Sequence, residues 1–431
     1  MTSPGRPGPR AWLMWGIPAF LFLFAFFHRA APGVFAKELM QAFGATGAII
    51  GLLSATYFYA YAGLMIPAGV LVDRLGVRWV VATGGAVMGG GTFLMALASG
   101  PALLFGGRFL VGAGASVMFV GALKIAAAWF PGAYFATLSA ATASAGVLGG
   151  LVATVPMAWL AAGLGWRGAL AAVGLVTLAG AAGCLALVRD RPPEHGHLVT
   201  PAQGWRPVLA GLGRVLGNPH TWPPFLAFFF LYAAVNNLFF WVVPCLRDVY
   251  GLGMTDAALY ATAISLPLLV AGPVTGFVSD RVLRRRRLPY TVLTAAQFVT
   301  WLAFVLTLGR LPLGGLYALL FAMGLVGAAF VLTWPLGREV NPPELAGIAV
   351  AAVNLGGFVG AALTQAPLGA LLDARWAGAM VDGARVYPVE AYRASFAASA
   401  ILILCASLIS LCFRETRGEN VYADPRRRGA G

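Results

Sequence analysis

Apolar runs of about twenty residues recur along the whole chain, separated by brief polar breaks. At 1.5 Å per residue, a helix of about 20 residues spans the hydrocarbon core of a bilayer. The pattern predicts twelve such helices, over roughly 12–34, 46–71, 80–99, 102–126, 134–160, 167–188, 224–246, 256–278, 290–309, 313–336, 346–371 and 393–413. The longest polar stretch, Arg189 to Trp222, separates six runs from six. Within it Trp205, Val208, Leu209, Leu212, Val215 and Leu216 recur at helical spacing, with Arg206 and Arg214 among them. That spacing predicts a short amphipathic helix lying along the membrane surface.

Composition narrows the picture. Sixty per cent of the 431 residues are hydrophobic and 10% are charged, a balance that excludes a water-soluble protein. The net charge of +14 is dispersed between apolar runs, without a compact basic domain, which argues against nucleic-acid binding. The four cysteines stand singly, with no C-x-x-C pair and no clustered histidines, so neither disulfides, a metal site nor any other cofactor is expected. The first apolar run lacks the short core and cleavage pattern of a removable signal and is expected to stay in the membrane. Placing both termini inside puts nineteen of the 29 Lys and Arg on the cytoplasmic side and seven outside, with Arg29, Arg108 and Lys124 left within spans. The expectation is a multi-pass protein of the cytoplasmic (inner) membrane with both termini cytoplasmic, acting as a monomer in the lipid bilayer.

The chain also repeats itself. Gly69-Val-Leu-Val-Asp73-Arg74 after the second run is echoed 207 residues later by Gly276-Phe-Val-Ser-Asp280-Arg281 after the eighth. Pro131, Gly149 and Pro156 return as Pro342, Gly360 and Pro367, each shifted by 211. A near-constant offset is the mark of parallel duplication, in which two six-helix halves are related by an axis along the membrane normal. The expected organisation is a cytoplasmic tail over 1–11, a six-helix bundle over 12–188, a linker with an interfacial helix over 189–222, a second six-helix bundle over 223–413 and a cytoplasmic tail over 414–431. On these residues the chain resembles the major facilitator superfamily. Gly69 to Asp73, Arg74, Gly76 and Arg78 look like the family's signature loop between helices 2 and 3, and Arg108-Phe-Leu-Val-Gly112-Ala-Gly114 looks like its helix 4 pattern. The resemblance implies an all-α membrane fold of twelve transmembrane helices in two pseudo-symmetric bundles, and alternating-access transport. Asp73, Arg74 and Arg78 sit where a helix leaves the membrane and are expected to pair with charges or helix termini of the opposite half as a latch on the cytoplasmic gate, with Asp280 and Arg281 their counterparts in the second half. The fifth helix, Gly146-Val-Leu-Gly149-Gly150, lacks the Gly-Pro step of proton-driven drug exporters. Met65 stands near the point where sugar-phosphate carriers place a lysine.

A charge at mid-bilayer costs at least about 2.5 kcal/mol, so each one needs a reason. All fifteen acidic residues fall in loops or at span ends, whereas Arg29, Arg108 and Lys124 do not. Cations in the cleft with no carboxylate in a span call for an anionic substrate, with Arg29 as the leading ligand and Arg108 and Lys124 as secondary ones. Their alternatives are bonding to backbone carbonyls for Arg29, holding neighbouring helices together for Arg108 and snorkelling for Lys124. His28, the one histidine within a span, is the candidate for proton coupling. The offset of 207 maps Arg29 onto Asn236. Asn237 and Trp241, like Tyr232 and Asn236, share a helix face. Tyr57, Tyr61, Trp334, Asn354 and Gln365 complete the polar set expected to contact substrate.

The expected function is secondary transport of a small solute, an organic anion, by proton symport or exchange (antiport), with uniport also open. Peptide, amino-acid or drug transport within the same fold is the alternative. A membrane sensor that signals without moving solute is the alternative from another class. No catalytic triad, metal cluster or phosphate loop stands in a context that suggests an enzyme.

Overall fold

The computed structural model describes residues 8–192 and 205–422. The tail over 1–7, the linker portion over 193–204 and the tail over 423–431, including Arg6, Arg426, Arg427 and Arg428, lie outside the described residues. The chain folds as two compact units. Unit 1 comprises 1–45, 53–203 and 254–258, and unit 2 comprises 46–52, 204–253 and 259–431. Each unit takes in one short segment that lies in the other half of the sequence: the first turns of the second and eighth spans.

Unit 1 is built from α1 (Pro9–Val34), α2 (Ala36–Phe43), most of α3 (Gly47–Leu75), α4 (Val77–Ala96), α5 (Pro101–Ala115), α6 (Met118–Trp129), α7 (Gly132–Val152) and α8 (Val155–Leu187). Unit 2 holds α9 (Trp205–Leu216), α10 (Trp222–Tyr250), most of α11 (Met254–Phe277), α12 (Arg287–Thr307), α13 (Leu313–Val326), α14 (Thr333–Glu339), α15 (Ala346–Asp373) and α16 (Val389–Ser410). Eleven helical stretches among the described residues are long and apolar enough to cross a membrane, and a further apolar helix, Thr137–Val152, is shorter. The chain is an all-α, multi-spanning membrane protein.

Three spans are broken in ways the hydrophobic pattern does not show. The fourth divides at Ser116–Val117, where the Ser116 hydroxyl donates to the carbonyl of Ala113 at 2.7 Å and competes with the helical ladder. The tenth passes through a 3₁₀ turn over Gly327–Leu332 between α13 and α14. The fifth stops at Val152 and resumes as the start of α8, whose helical geometry is interrupted at Gly165 (φ 67°, ψ 165°). Only glycine adopts that conformation without strain, so Gly165 separates the helical segments 155–164 and 166–187. A small β-hairpin was not foreseen: β1 (Met380–Val381) pairs antiparallel with β2 (Ala384–Arg385). Asp382 and Gly383 between them both have positive φ, as a two-residue Asp-Gly turn requires.

Glycines at positions shifted by 211 make similar contacts in the two units. A Cβ on Gly149 of α7 would strike the carbonyl of Leu23 on α1, and one on Gly360 of α15 would strike the carbonyl of Phe229 on α10. One turn earlier Gly146 meets the ring of Phe22, and Gly357 meets the ring of Phe228. The same glycine-to-backbone approach therefore occurs at matched positions in both units. Without a hydrophobic drive between helices in lipid, close backbone contact of this kind is what holds spans together.

The amphipathic helix expected in the linker is α9. Its Val215 packs with Ala349 and Ala352 of α15, and Leu212 and Leu216 border them. At the opposite end of unit 2, Asp373 caps the start of α3. Its carboxylate accepts from the backbone N–H of Gly47 (2.9 Å) and Ala48 (2.7 Å), from the Tyr387 hydroxyl (2.7 Å) and from Arg385 (3.0 Å). Two orphan helix N–H groups are thereby satisfied by an anion at the positive end of the helix dipole. Burial, and then the bond to Asp373, push the Tyr387 phenol well above its ordinary range, so it remains a donor.

Candidate functional site

In unit 1 the site starts from a proline. Pro32 has no N–H, so the carbonyl of His28, four residues earlier, loses its helical partner. Arg108 of α5 supplies the replacement: Nη1 donates to His28 O at 2.6 Å and Nη2 to Arg29 O at 3.1 Å. The side chain is 1% exposed, and its guanidinium lies 4.9 Å from the ring centroid of Tyr57. Tyr57 in turn donates to the carbonyl of Ala25 at 3.1 Å and stacks on Tyr61 at 5.9 Å. Arg108, Tyr57, Tyr61 and the backbone of His28 and Arg29 thus form one connected group, made possible by Gly112, where any Cβ would strike the Tyr57 carbonyl. The Arg29 guanidinium is partly exposed and lies 3.9 Å from the ring centroid of Phe26. The Nε of Arg108 is buried with no hydrogen-bond partner among the described residues.

His28 is buried, with Nε2 2.9 Å from Thr177 Oγ1 and Nδ1 3.3 Å from Thr92 Oγ1. Each threonine also reaches a carbonyl of its own helix, Val173 and Met88. A hydroxyl has one proton. If both protons stay on those carbonyls, both ring nitrogens must donate; a neutral imidazole has one N–H, so one threonine must then turn its proton onto the ring.

Lys124 departs from the expectation that the membrane cations lack a protein carboxylate. Its Nζ lies 2.8 Å from Asp73 Oδ1 and 2.6 Å from the carbonyl of Val72. This also places Asp73, expected to reach the opposite half, in an ion pair inside its own unit. The neighbouring Arg78 is likewise engaged within unit 1. Its N–H donates to Asp190 at 2.8 Å and its Nε to the carbonyl of Leu185 at 2.7 Å. Gly76 (φ 85°) turns the chain between α3 and α4 and lies against the Asp190 carboxylate.

The second-half motif behaves in the same way. Asp280 pairs with Arg286, which also forks onto Glu339 (3.2 and 2.8 Å) and donates to Ser279 at 3.0 Å. Thr416 donates to Glu339, and Glu415 accepts the N–H groups of Arg286 (2.8 Å) and Arg287 (3.2 Å). Burial alone would lower the Arg286 pKa, but the bonds and charges of Glu339 and Asp280 more than offset it and raise it. Sequence reading did not find Arg286 and Glu339; the available signal was an acid ending a span, with an arginine cluster on a neighbouring loop.

In unit 2, Asn237 and Trp241 are fully buried on α10. Asn237 donates to Ser399 at 2.7 Å, while its Oδ1, the Trp241 Nε1 and both amide atoms of buried Gln365 have no partner among the described residues. An unsatisfied buried polar atom costs about 1–3 kcal/mol, so each of these groups favours water or a polar solute as a partner. Trp334 donates to Asn354 at 3.2 Å, and Tyr232 packs between Phe228 and Phe358. Asn236 is buried on the same helix.

Spans held by glycine contacts, with polar groups buried among them, mark a multi-spanning membrane protein with a polar interior. The chain belongs to the Major Facilitator Superfamily, which it matches over residues 19–365. It is 24% identical to the uncharacterized transporter YybO of Bacillus subtilis over 390 residues, 83% of this chain and 88% of YybO. Identity to the membrane sensor protein UhpC of Salmonella typhimurium is 26% over 407 residues, 85% of each chain. Identity to the probable galactarate/D-glucarate transporter GudP of Bacillus subtilis is 22% over 402 residues, 85% of this chain and 87% of GudP. A bacterial homolog of the human lysosomal transporter Spinster, solved inward-facing and unoccupied, shares the fold with a TM-score of 0.78 at 16% identity, covering 97% of this chain and 99% of that one.

Proposed function

We propose that the chain is a twelve-helix secondary carrier of a small organic anion. Its two six-helix bundles alternate access across the inner membrane, with both termini cytoplasmic. In unit 1 Arg29 supplies the ligand charge and Arg108 with Tyr57 and Tyr61 holds it in place; in unit 2 Asn236, Asn237, Trp241 and Gln365 are further candidate substrate contacts. Tyr232, Trp334 and Asn354 complete the candidate contacts in unit 2, and Lys124 belongs to the gate with Asp73 instead of to the ligand set.

The observation that supports this reading most is the Arg108 charge, buried and met by carbonyl oxygens and a tyrosine ring. Carbonyls orient a guanidinium but do not neutralise it, so unit 1 presents a positive potential beside Arg29. GudP is named for dicarboxylated sugar acids, which agrees with an anionic cargo. His28 is the proton-coupling candidate if transport is symport.

The likeness to UhpC supports a second reading, a sensor that binds an anion without moving it. Counterflow of labelled dicarboxylates and sulfonates in proteoliposomes separates the two. Carrier function predicts exchange that falls at least tenfold in Arg29→Ala and recovers partly in Arg29→Lys. Full exchange by Arg29→Ala removes that residue from the site, and saturable binding with no flux for any anion favours the sensor.

A further inference from the structure

Between α1 and α8 in unit 1 lies an apolar furrow of about 360 Å³, lined by Trp12, Leu13, Ile17 and Phe20 on one wall and Leu187 on the other. Its floor is open because Gly16 and Gly183 carry no side chain, and a Cβ at either would meet nothing within 4 Å. Trp12, Leu13, Phe20 and Leu187 are exposed, and an exposed apolar wall on a membrane-spanning unit suits an acyl chain. The lined stretch of α1 runs for about 12 Å along the helix.

One end of the furrow is basic. Arg10 lies one turn before Leu13 on the same helix face, and its guanidinium is 5.8 Å from the ring centroid of Trp129. Trp129 donates to the carbonyl of Arg189 at 2.8 Å, and the N–H of Arg189 lies 3.3 Å from the sulfur of Met14. The Arg10 guanidinium and the Arg189 backbone therefore both contact Trp129, and both arginines are exposed. The Arg189 Nη1 is turned to carbonyls at the end of α8, Ala186 at 3.3 Å and Val188 at 3.2 Å.

We propose that this furrow is a binding site for an anionic phospholipid, with one acyl chain lying between α1 and α8 and the headgroup phosphate held by Arg10 and Arg189. Charge complementarity selects an acidic headgroup over a zwitterionic one. It also disfavours a second copy of the chain, because a two-fold dimer within one membrane brings like ends together and sets these arginines against their own counterparts. The site is independent of the transported solute.

Native mass spectrometry of the full-length protein, offered equal amounts of dioleoyl phosphatidylglycerol and dioleoyl phosphatidylcholine, tests it. Retained phosphatidylglycerol should predominate, and Arg10→Gln and Arg189→Gln should each lower that preference about fivefold. Gly183→Leu fills the open floor and should reduce retention of phosphatidylglycerol while the melting temperature stays at the wild-type value. Equal retention of the two lipids by the wild type overturns the proposal, as does an unchanged preference in the double arginine variant. A concentration-dependent dimer abolished by Gly183→Leu also overturns it and assigns the furrow to a second copy.

Discussion

Arg108 can be tested as the substitute for the N–H that Pro32 lacks. Arg108→Met removes two charge-assisted bonds, to His28 O at 2.6 Å and Arg29 O at 3.1 Å, each ordinarily contributing about 1.5–3 kcal/mol. It also removes the desolvation cost of a buried cation, which runs to several kcal/mol. The single substitution therefore mixes a loss with a gain, and the informative quantity is its coupling to Pro32. Pro32→Ala restores an N–H one turn after His28, able to make the ordinary helical bond. In that background Arg108→Met no longer strands the His28 carbonyl, so it should be milder by about 1–3 kcal/mol, the cost of an orphaned buried acceptor. Equilibrium unfolding of the four proteins in mixed micelles, followed by tryptophan fluorescence, measures the cycle. Penalties that add to within about 0.5 kcal/mol would refute the reasoning, because independent sites add and coupled ones do not.

The glycine contacts make a paired prediction. Gly149→Ala and Gly360→Ala should each destabilise by about 1–3 kcal/mol, because the new methyl meets a carbonyl, whereas Gly150→Ala, with nothing within 4 Å, should not; equal melting temperatures for all three contradict the packing. The Lys124–Asp73 pair is 36% and 47% exposed, so Asp73→Asn should cost less than about 1 kcal/mol of stability. If the pair serves the gate, the exchange Asp73→Lys with Lys124→Asp should recover flux lost by either single change. No recovery, with KM raised by Lys124→Asp alone, returns Lys124 to the ligand set. Thr92→Val with Thr177→Val should lower stability by about 1–3 kcal/mol and, if His28 carries the coupling proton, shift the pH midpoint of uptake; an unmoved midpoint takes His28 off the proton path.

The spans were legible because a bilayer imposes length and apolarity together, two constraints that sequence displays directly. The eleventh run, read as 346–371, is α15 over Ala346–Asp373, and the twelfth, read as 393–413, is α16 over Val389–Ser410. Breaks inside spans were not legible. Ser116 acts through a side-chain bond that does not lower the hydropathy of the run, and the stop at Val152 falls inside the fifth run, whereas Gly165 lies in the break expected between the fifth and sixth runs. The Asp-Gly pair at 382–383 did carry a turn signal, but within a loop too short to register as an element.

Charges were legible in number and not in role. Arg29, Arg108 and Lys124 look alike as basic residues in apolar runs, yet their surroundings give them three occupations. Lys124 lies near enough to a helix end to reach Asp73, and a half-exposed pair there is cheap to form. Arg108 is fully buried and is held by two carbonyls, one of which, that of His28, has been freed by Pro32 four residues on. Pro32 was the signal for that arrangement, since an internal proline always leaves one acceptor wanting a donor. Arg108 is fixed through the very backbone that carries Arg29, so the stiffness of the proposed anion ligand depends on a residue of another helix. Substrate affinity in this carrier should therefore be more sensitive to Arg108 than its lack of direct contact suggests: Arg108→Met should raise KM for the transported anion while Arg29 itself is intact.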